Sequence, residues 1–98
     1  MGIVGIKDEH IRMIKGIVAL IRPDAKAYAF GSRVHGTAQT SSDLDIVLKA
    51  DTPIPMTDIL NIKELLKASP LLFSVDIMDW SALGQGFRKA IEDDLKEI

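Results

Sequence analysis

Apolar residues recur in the first part of the chain with the spacing of a helix and then with the spacing of a strand. The helical pattern begins near Asp8, a candidate helix cap, and stops before Pro23. Its apolar positions lie mostly three or four residues apart: Ile6, Ile11, Ile14, Ile17, Val18 and Ile21. The apolar and aromatic run at 27–30 ends at Gly31. We therefore expect an amphipathic helix followed by a short buried strand that opens into a loop.

Two later segments alternate apolar with acidic or polar residues, as strands do when they bury one face. The segment at 43–48 has Leu44, Ile46 and Leu48 on one face and Asp43, Asp45 and Val47 on the other. The segment at 71–78 has Phe73, Val75 and Ile77 on one face and Ser74, Asp76 and Met78 on the other. Each predicted strand therefore directs carboxylates away from the apolar face that packs in a core.

Helical spacing returns between and after these strands. Apolar residues at 59–66 predict a second long helix, which Ser69 and the following proline would end. A last helix is predicted from residue 83 onwards, with Ser81 as its cap and 92–98 as its solvated end. Asp79 is expected to begin that helix or the turn before it. The predicted order is helix, strand, short helix, strand, helix, strand, helix, which is an α+β chain.

Composition narrows the class of protein. The 98 residues, of which 47% are hydrophobic and 27% charged, suit one compact domain spanning 1–98. A net charge of -2 does not favour non-specific nucleic-acid binding. The chain has no cysteine, and its longest apolar run, 17–21, is far shorter than the ~20 residues that span a bilayer. With no signal-peptide pattern, the expected location is the cytoplasm.

The aspartates are the main candidates for chemistry. Asp43 and Asp45 lie two apart on one strand, so their oxygens point the same way and can bind a hard cation such as Mg²⁺. If Asp76 lies on a neighbouring strand, three carboxylates can support two ions about 3.5 to 4 Å apart, an arrangement suited to phosphoryl transfer. The structural alternative is that the pair accepts hydrogen bonds in a turn and that Asp76 is a surface residue of an edge strand.

The segment after the first strand is the candidate phosphate site. Gly31 allows close approach of the backbone, Ser32 offers a hydroxyl donor and Arg33 a guanidinium where a helical turn would begin. The alternative is a helix cap followed by a solvated arginine. Gly31 and Gly36 have the spacing of a P-loop, but Thr37 stands where that motif requires lysine. Neither histidine is assigned a catalytic role.

Taken together, Gly31-Ser32, ten intervening residues and Asp43-Leu44-Asp45 resemble the G-S-x10-D-x-D signature of the DNA polymerase beta-type nucleotidyltransferases. The chain is most similar to the minimal nucleotidyltransferases of prokaryotes, which share a Phe-Gly-Ser-Arg entry, a Ser-Asp-Xaa-Asp strand and a later Val-Asp strand. The corresponding residues here are 30–33, 42–45 and 75–76. The signature covers 30–47, and the flanking helices and the Asp76 strand extend the resemblance over nearly the whole chain.

The resemblance implies a nucleotidyltransferase fold, with a small mixed sheet of three or more strands and helices on one side. It implies Asp43, Asp45 and Asp76 as ligands of Mg²⁺, with two ions expected, and Gly31 and Ser32 on the triphosphate, with Arg33 assisting. Asp76 would help to deprotonate an acceptor hydroxyl that attacks the α-phosphorus. A nucleoside monophosphate, from ATP as the expected substrate, would then be transferred and pyrophosphate released.

The same resemblance implies a partner, because the family is commonly paired with a helical HEPN protein in toxin-antitoxin systems. The expected acceptor is a hydroxyl of that partner, with a protein tyrosine in the modification case. Two alternatives stay open: a nucleotide-binding antitoxin or adaptor without turnover, and transfer to a small molecule such as an aminoglycoside. Exposed apolar surface would also be compatible with a homodimer.

Overall fold

The computed structural model describes residues 3, 5–36 and 43–98, which form four helices, two short 3₁₀ turns and four strands. Within the described part of the chain, no helix has the length and apolar character needed to cross a bilayer. In chain order the elements are α1 (Asp8–Ile21), β1 (Lys26–Phe30), α2 (Ser32–His35), β2 (Leu44–Lys49), α3 (Met56–Ala68), β3 (Val75–Asp79), the 3₁₀ turn Trp80–Ala82, α4 (Gln85–Ile91), the 3₁₀ turn Glu92–Asp94 and β4 (Lys96–Glu97).

Helix α1 lies where its apolar spacing predicted, with a small change at its start. Asp8 is the first helical residue rather than the cap, and Lys7 takes the cap position with an extended backbone. Asp8 in the first turn still favours the helix, because a negative charge there interacts well with the helix dipole. The helix ends at Ile21, as expected before a proline, and Ile14 and Val18 are its buried residues.

The sheet is mixed and has the strand order β3-β2-β1-β4. Strand β2 runs antiparallel to β1 and parallel to β3, so the two strands that carry the aspartates are neighbours. This confirms the α+β class and the small mixed sheet. Strand β3 is shorter than predicted, because regular pairing begins only at Val75.

The C-terminal region differs most from the prediction. Residues 92–98 do not continue the last helix, which begins at Gln85 after Gly84 rather than at a Ser81 cap. The chain instead turns and adds β4, whose Glu97 and Lys96 pair with Tyr28 and Ala29 of β1. The free edge of β1 supplies backbone partners that helical spacing does not reveal, and a two-residue strand is too short to show alternation.

Both faces of the sheet are covered. Leu44, Ile46 and Leu48 are fully buried on one face, under Ile14 of α1 and Ile62 of α3. The other face carries a smaller cluster in which Phe30 and Val47 pack with Ile91 of α4. The expectation of helices on one side only is therefore wrong, since α4 closes part of the second face. Asp45 and Asp76 belong to this second face, because Asp45 lies two residues from Val47 on β2 and Asp76 lies two residues from Met78 on β3.

Candidate active site

The parallel pairing of β2 with β3 brings two of the predicted carboxylates side by side. Asp45 lies directly opposite Asp76 in the register, and Phe30 of β1 lies opposite Asp45 on its other side. Adjacent strands are about 4.8 Å apart, so side chains at paired positions on one face are neighbours. The pairing predicted from the two sequence patterns therefore exists in the fold.

The electrostatics of Asp45 show that the three aspartates act on one another. Burial raises the pKa of the Asp45 carboxyl above its ordinary value, and the charges of Asp76 and Asp43 raise it further. Asp43 is exposed and lies just before β2. In the part of the chain that the structure describes, the carboxylate of Asp45 has neither a hydrogen bond nor an ion pair. A half-buried carboxylate with two acidic neighbours favours binding of a cation, which would offset the repulsion.

Gly31 forms the wall behind Asp45 and has to be glycine for two reasons. Its backbone has φ 90° and ψ -157°, a conformation that is essentially confined to glycine. A Cβ at this position would also lie 2.6 Å from Oδ2 of Asp45, far inside contact distance. The missing side chain thus lets the end of β1 approach the carboxylate directly. The close approach seen here is to Asp45, and the approach of the Gly31 backbone to a phosphate stays a prediction.

The two residues after Gly31 have different environments. Ser32 is the first residue of α2 and is half-buried beside Gly31. Arg33 is only 4% exposed, and its guanidinium carbon lies 5.1 Å from the ring centroid of Phe73. The alternative of a solvated arginine is therefore wrong. This burial indicates a packing role against Phe73, and the assistance of Arg33 to the phosphates stays a prediction.

One charged residue of the site was not found from sequence. Lys63 of α3 places its Nζ 3.3 Å from Oδ1 of Asp76, and both side chains are about two-fifths exposed, at 40% and 42%. Its only sequence signal is its helical spacing: it follows the buried Ile59 and Ile62 by four residues and by one, so it borders the helix face that packs on the sheet. That signal does not identify a carboxylate partner.

The donor chemistry fits a hard cation. Carboxylate oxygens are the ligands that Mg²⁺ prefers, and on the side of Gly31 the carboxylate of Asp45 meets backbone without a side chain. As the side chains lie, no group of three or more acidic or histidine residues within 3, 5–36 and 43–98 converges on a common point. Asp76 contacts Lys63 instead. A shared metal site would therefore require Asp76 to exchange this contact.

Asp79, at the end of β3, serves a different purpose. Its carboxylate accepts hydrogen bonds from the backbone N–H of Ile54 at 3.0 Å, the backbone N–H of Ser81 at 3.1 Å and the hydroxyl of Ser81 at 2.7 Å. It caps the 3₁₀ turn that follows β3. The prediction that Asp79 starts the connecting turn is confirmed. Ser42 of the resembling motif lies outside the described residues.

Comparisons with known proteins agree with this geometry. The family model described as "Polymerase beta, Nucleotidyltransferase" matches residues 15–98. A probable protein adenylyltransferase MntA from Haemophilus influenzae is 36% identical over 86 residues, which cover 88% of this chain and 75% of the relative.

Solved structures share the fold. A chain in the crystal structure of a toxin-antitoxin with AMP-PNP superimposes with a TM-score of 0.75 at 24% identity, covering 88% of this chain and 69% of that one. A chain in the complex of a tri-AMPylated Shewanella oneidensis HEPN toxin with its MNT antitoxin has a TM-score of 0.64 at 19% identity, covering 88% and 69%. At these identities the likeness shows the fold.

Proposed function

This chain belongs to the polymerase beta nucleotidyltransferase family, and from that premise we propose that it transfers AMP from ATP to a hydroxyl on a HEPN-type partner protein. The observation that carries the proposal is the pairing of Asp45 with Asp76 beside the glycine backbone of residue 31. The relative from H. influenzae is named a protein adenylyltransferase, and one structural neighbour contains an AMPylated HEPN toxin, which supports this acceptor class.

The proposed reaction follows from the charges and exposures at this face of the sheet. Gly31 and Ser32 bind the triphosphate, while Asp43, Asp45 and Asp76 are the ligands of Mg²⁺, with two ions in the complete site. Bound Mg²⁺ supplies positive charge that offsets the charge of the triphosphate and of the leaving pyrophosphate. Asp45 is half-buried against Gly31, so its carboxylate is held in place and has limited contact with solvent.

Asp76 is the proposed acceptor of the proton. It lies on β3, the last strand at one edge of the described sheet, and 42% of its side chain is exposed, so an incoming hydroxyl can reach it. The hydroxyl oxygen forms a bond to the α-phosphorus, and the bond from that phosphorus to the oxygen of pyrophosphate breaks. The hydroxyl proton passes to Asp76. Nucleoside triphosphates are held in the cytoplasm, so we infer that the reaction takes place there.

A groove that borders Asp76 and is lined by several leucines favours a protein acceptor over a small polar molecule. The groove has a volume of about 520 Å³ and runs between α3 and the segment before β3. It includes Leu60 and Leu72, which are 52% and 99% exposed, and Lys63 and Val75, which border Asp76. Exposed leucines of this kind mark contact surfaces for proteins. An aminoglycoside would be expected to meet more acidic groups and fewer leucines.

The experiment is a transfer assay with ATP labelled at the α-phosphate and a HEPN protein encoded beside the gene. We expect label on the partner, release of pyrophosphate, and no label from γ-labelled ATP. Asp43→Asn and Asp45→Asn should abolish incorporation. Asp51→Asn is the matched control, because this exposed aspartate follows the opposite end of β2.

The same variants separate transfer from simple binding. If Asp43→Asn and Asp45→Asn still neutralise the partner as well as the unchanged chain does, the protein acts as a stoichiometric antitoxin and transfer is not its function. Label that appears on an aminoglycoside but never on protein would overturn the acceptor class. Equal incorporation by the Asp51 and Asp45 variants would overturn the assignment of the site.

A further inference from the structure

Lys63 contacts one oxygen of the Asp76 carboxylate and is a cation already present at that proposed metal ligand. Its Nζ lies 3.3 Å from Oδ1 of Asp76, and about two-fifths of each side chain is exposed. The lysine projects from α3, and its side chain also lines the groove beside β3. Solvent and dissolved ions therefore have access to the pair. The contact belongs to the face of the sheet on which Asp45 lies in register with Asp76.

The ion pair relieves part of the repulsion among the three carboxylates. Asp76 has a cationic partner, whereas Asp45 in the described residues has none and lies next to two acidic neighbours. One ammonium group offsets one of three negative charges. Among the described residues, the cluster therefore has a counter-ion at its exposed edge, where Lys63 meets Asp76, and none at its half-buried centre, Asp45.

A divalent ion bound to Asp76 and the ammonium group of Lys63 would repel each other across that carboxylate, so the ion binds less tightly while the lysine stays in contact. Lysine is suited to leaving, because its compact charge sits on a flexible four-carbon stem. The adjacent groove is open to solvent and gives the displaced side chain space to occupy. Binding of the ion at Asp76 would then consist of an exchange of cations rather than a simple addition.

We propose that Lys63 is a positioning residue that holds Asp76 in the metal-free protein and competes with the divalent cation for that carboxylate. This inference rests on the proposed function, because it requires Asp76 to be a metal ligand. Lys63 fixes the position of the Asp76 carboxylate before the ion arrives, and it lowers the affinity for the free ion. Metal affinity is thereby set by a residue of α3 that is not itself a ligand.

The test measures Mn²⁺ binding, without nucleotide, by the electron paramagnetic resonance signal of the free ion at constant ionic strength. Carboxylate sites accept Mn²⁺ in place of Mg²⁺. Lys63→Met should bind Mn²⁺ about two- to five-fold more tightly than the unchanged chain, the range expected for loss of one exposed ion pair. Lys63→Arg preserves the pair and should bind no more tightly than the unchanged chain.

Lys67→Met is the matched control. Lys67 lies one helical turn further along α3 and lines the same groove, but among the described residues it has no carboxylate partner. Removing its charge tests whether general loss of positive charge tightens binding. Lys63 is partly exposed and Lys67 is exposed, and circular dichroism on each variant verifies that it is folded.

The outcomes separate the two claims. Tighter binding in Lys63→Met alone supports the competition. Equal tightening in Lys63→Met and Lys67→Met, or unchanged or weaker binding in Lys63→Met, would overturn it while leaving the metal site intact. Absence of Mn²⁺ binding in every variant, including the unchanged chain, would overturn the metal site of the proposed function and the competition together.

Discussion

Asp45 and Asp79 lie on neighbouring strands of one sheet, and they differ in what the protein supplies to their carboxylates. Asp79 is 8% exposed and accepts three hydrogen bonds, from Ile54 and Ser81. Asp45 is half-buried, and its carboxylate lies against the backbone of Gly31 and close enough to two further aspartates to feel their charges. A carboxylate that the fold satisfies stabilises the fold, whereas one that the fold leaves unsatisfied favours a ligand.

The largest expected difference between Asp45 and Asp79 variants is in the rate of AMP transfer. Asp45→Asn should lower AMP transfer by about 100-fold or more, because it removes a charged ligand from the reacting face of the site. The rate of label incorporation measures this effect. Asp79→Asn keeps one side-chain acceptor for the turn and should lose far less activity. An Asp79 variant that is fully folded and as inactive as Asp45→Asn would contradict the division of roles.

The free energy of unfolding should depend more on Asp79 than on Asp45, which is the reverse of the order for transfer. Asp79→Ala removes the acceptors of two backbone N–H groups and one hydroxyl near the end of β3. The free energy of unfolding should fall by about 2–3 kcal/mol, because buried donors left without partners are costly. Urea unfolding measures the change, with Asp51→Ala as the exposed control. A loss below the error of the measurement would show that the turn after β3 does not depend on Asp79.

Gly31 and Gly36 allow the contact with Asp45 to be separated from backbone strain. Both have positive φ, but a Cβ would meet Asp45 only at Gly31, and at Gly36 it would meet nothing within 4 Å. Gly36→Ala should cost about 1 kcal/mol through its left-handed backbone. Gly31→Ala should cost about 1–3 kcal/mol and also reduce transfer, since it displaces the carboxylate. Equal effects on transfer would remove Gly31 from the site.

The smallest expected effect concerns pH. Burial, then the charges of Asp76 and Asp43, hold the pKa of Asp45 above its ordinary value. The carboxyl of Asp45 therefore binds a proton more tightly in the folded chain than in the unfolded chain. Ionised Asp45 therefore opposes folding at neutral pH, and Asp45→Asn should raise the thermal midpoint of the metal-free protein. This advantage should shrink as pH falls through the raised pKa toward the unfolded value of about 3.9. A lower midpoint for Asp45→Asn at neutral pH would contradict it.

The sequence was sufficient where a short-range period determines the direction of a side chain. Alternation in β2 and β3 predicted that Asp45 and Asp76 point away from the apolar face of their strands. The parallel register of β2 and β3 places the two residues opposite each other. The positive φ of Gly31 agrees with its place after a strand.

The errors and omissions concern contacts between segments distant in the chain. Lys63 reaches Asp76 from a helix, and Arg33 packs on Phe73, forty residues away in sequence. Spacing within one segment contains no information on either contact. Strand β4 forms only because β1 offers a free edge, and its two residues are too few to show a period.

The central claim is that the unsatisfied carboxylate, and not the satisfied one, belongs to a metal and triphosphate site. Calorimetric titration with α,β-methylene-ATP, in which the bond that AMP transfer breaks cannot be cleaved, tests it with and without Mg²⁺ in the unchanged chain, Asp45→Asn and Asp79→Asn. We expect Mg²⁺-dependent binding of the nucleotide analogue that is retained in folded Asp79→Asn and weakened by about 10-fold or more in Asp45→Asn. Binding that does not depend on Mg²⁺, and that is equally strong in Asp45→Asn, would contradict it.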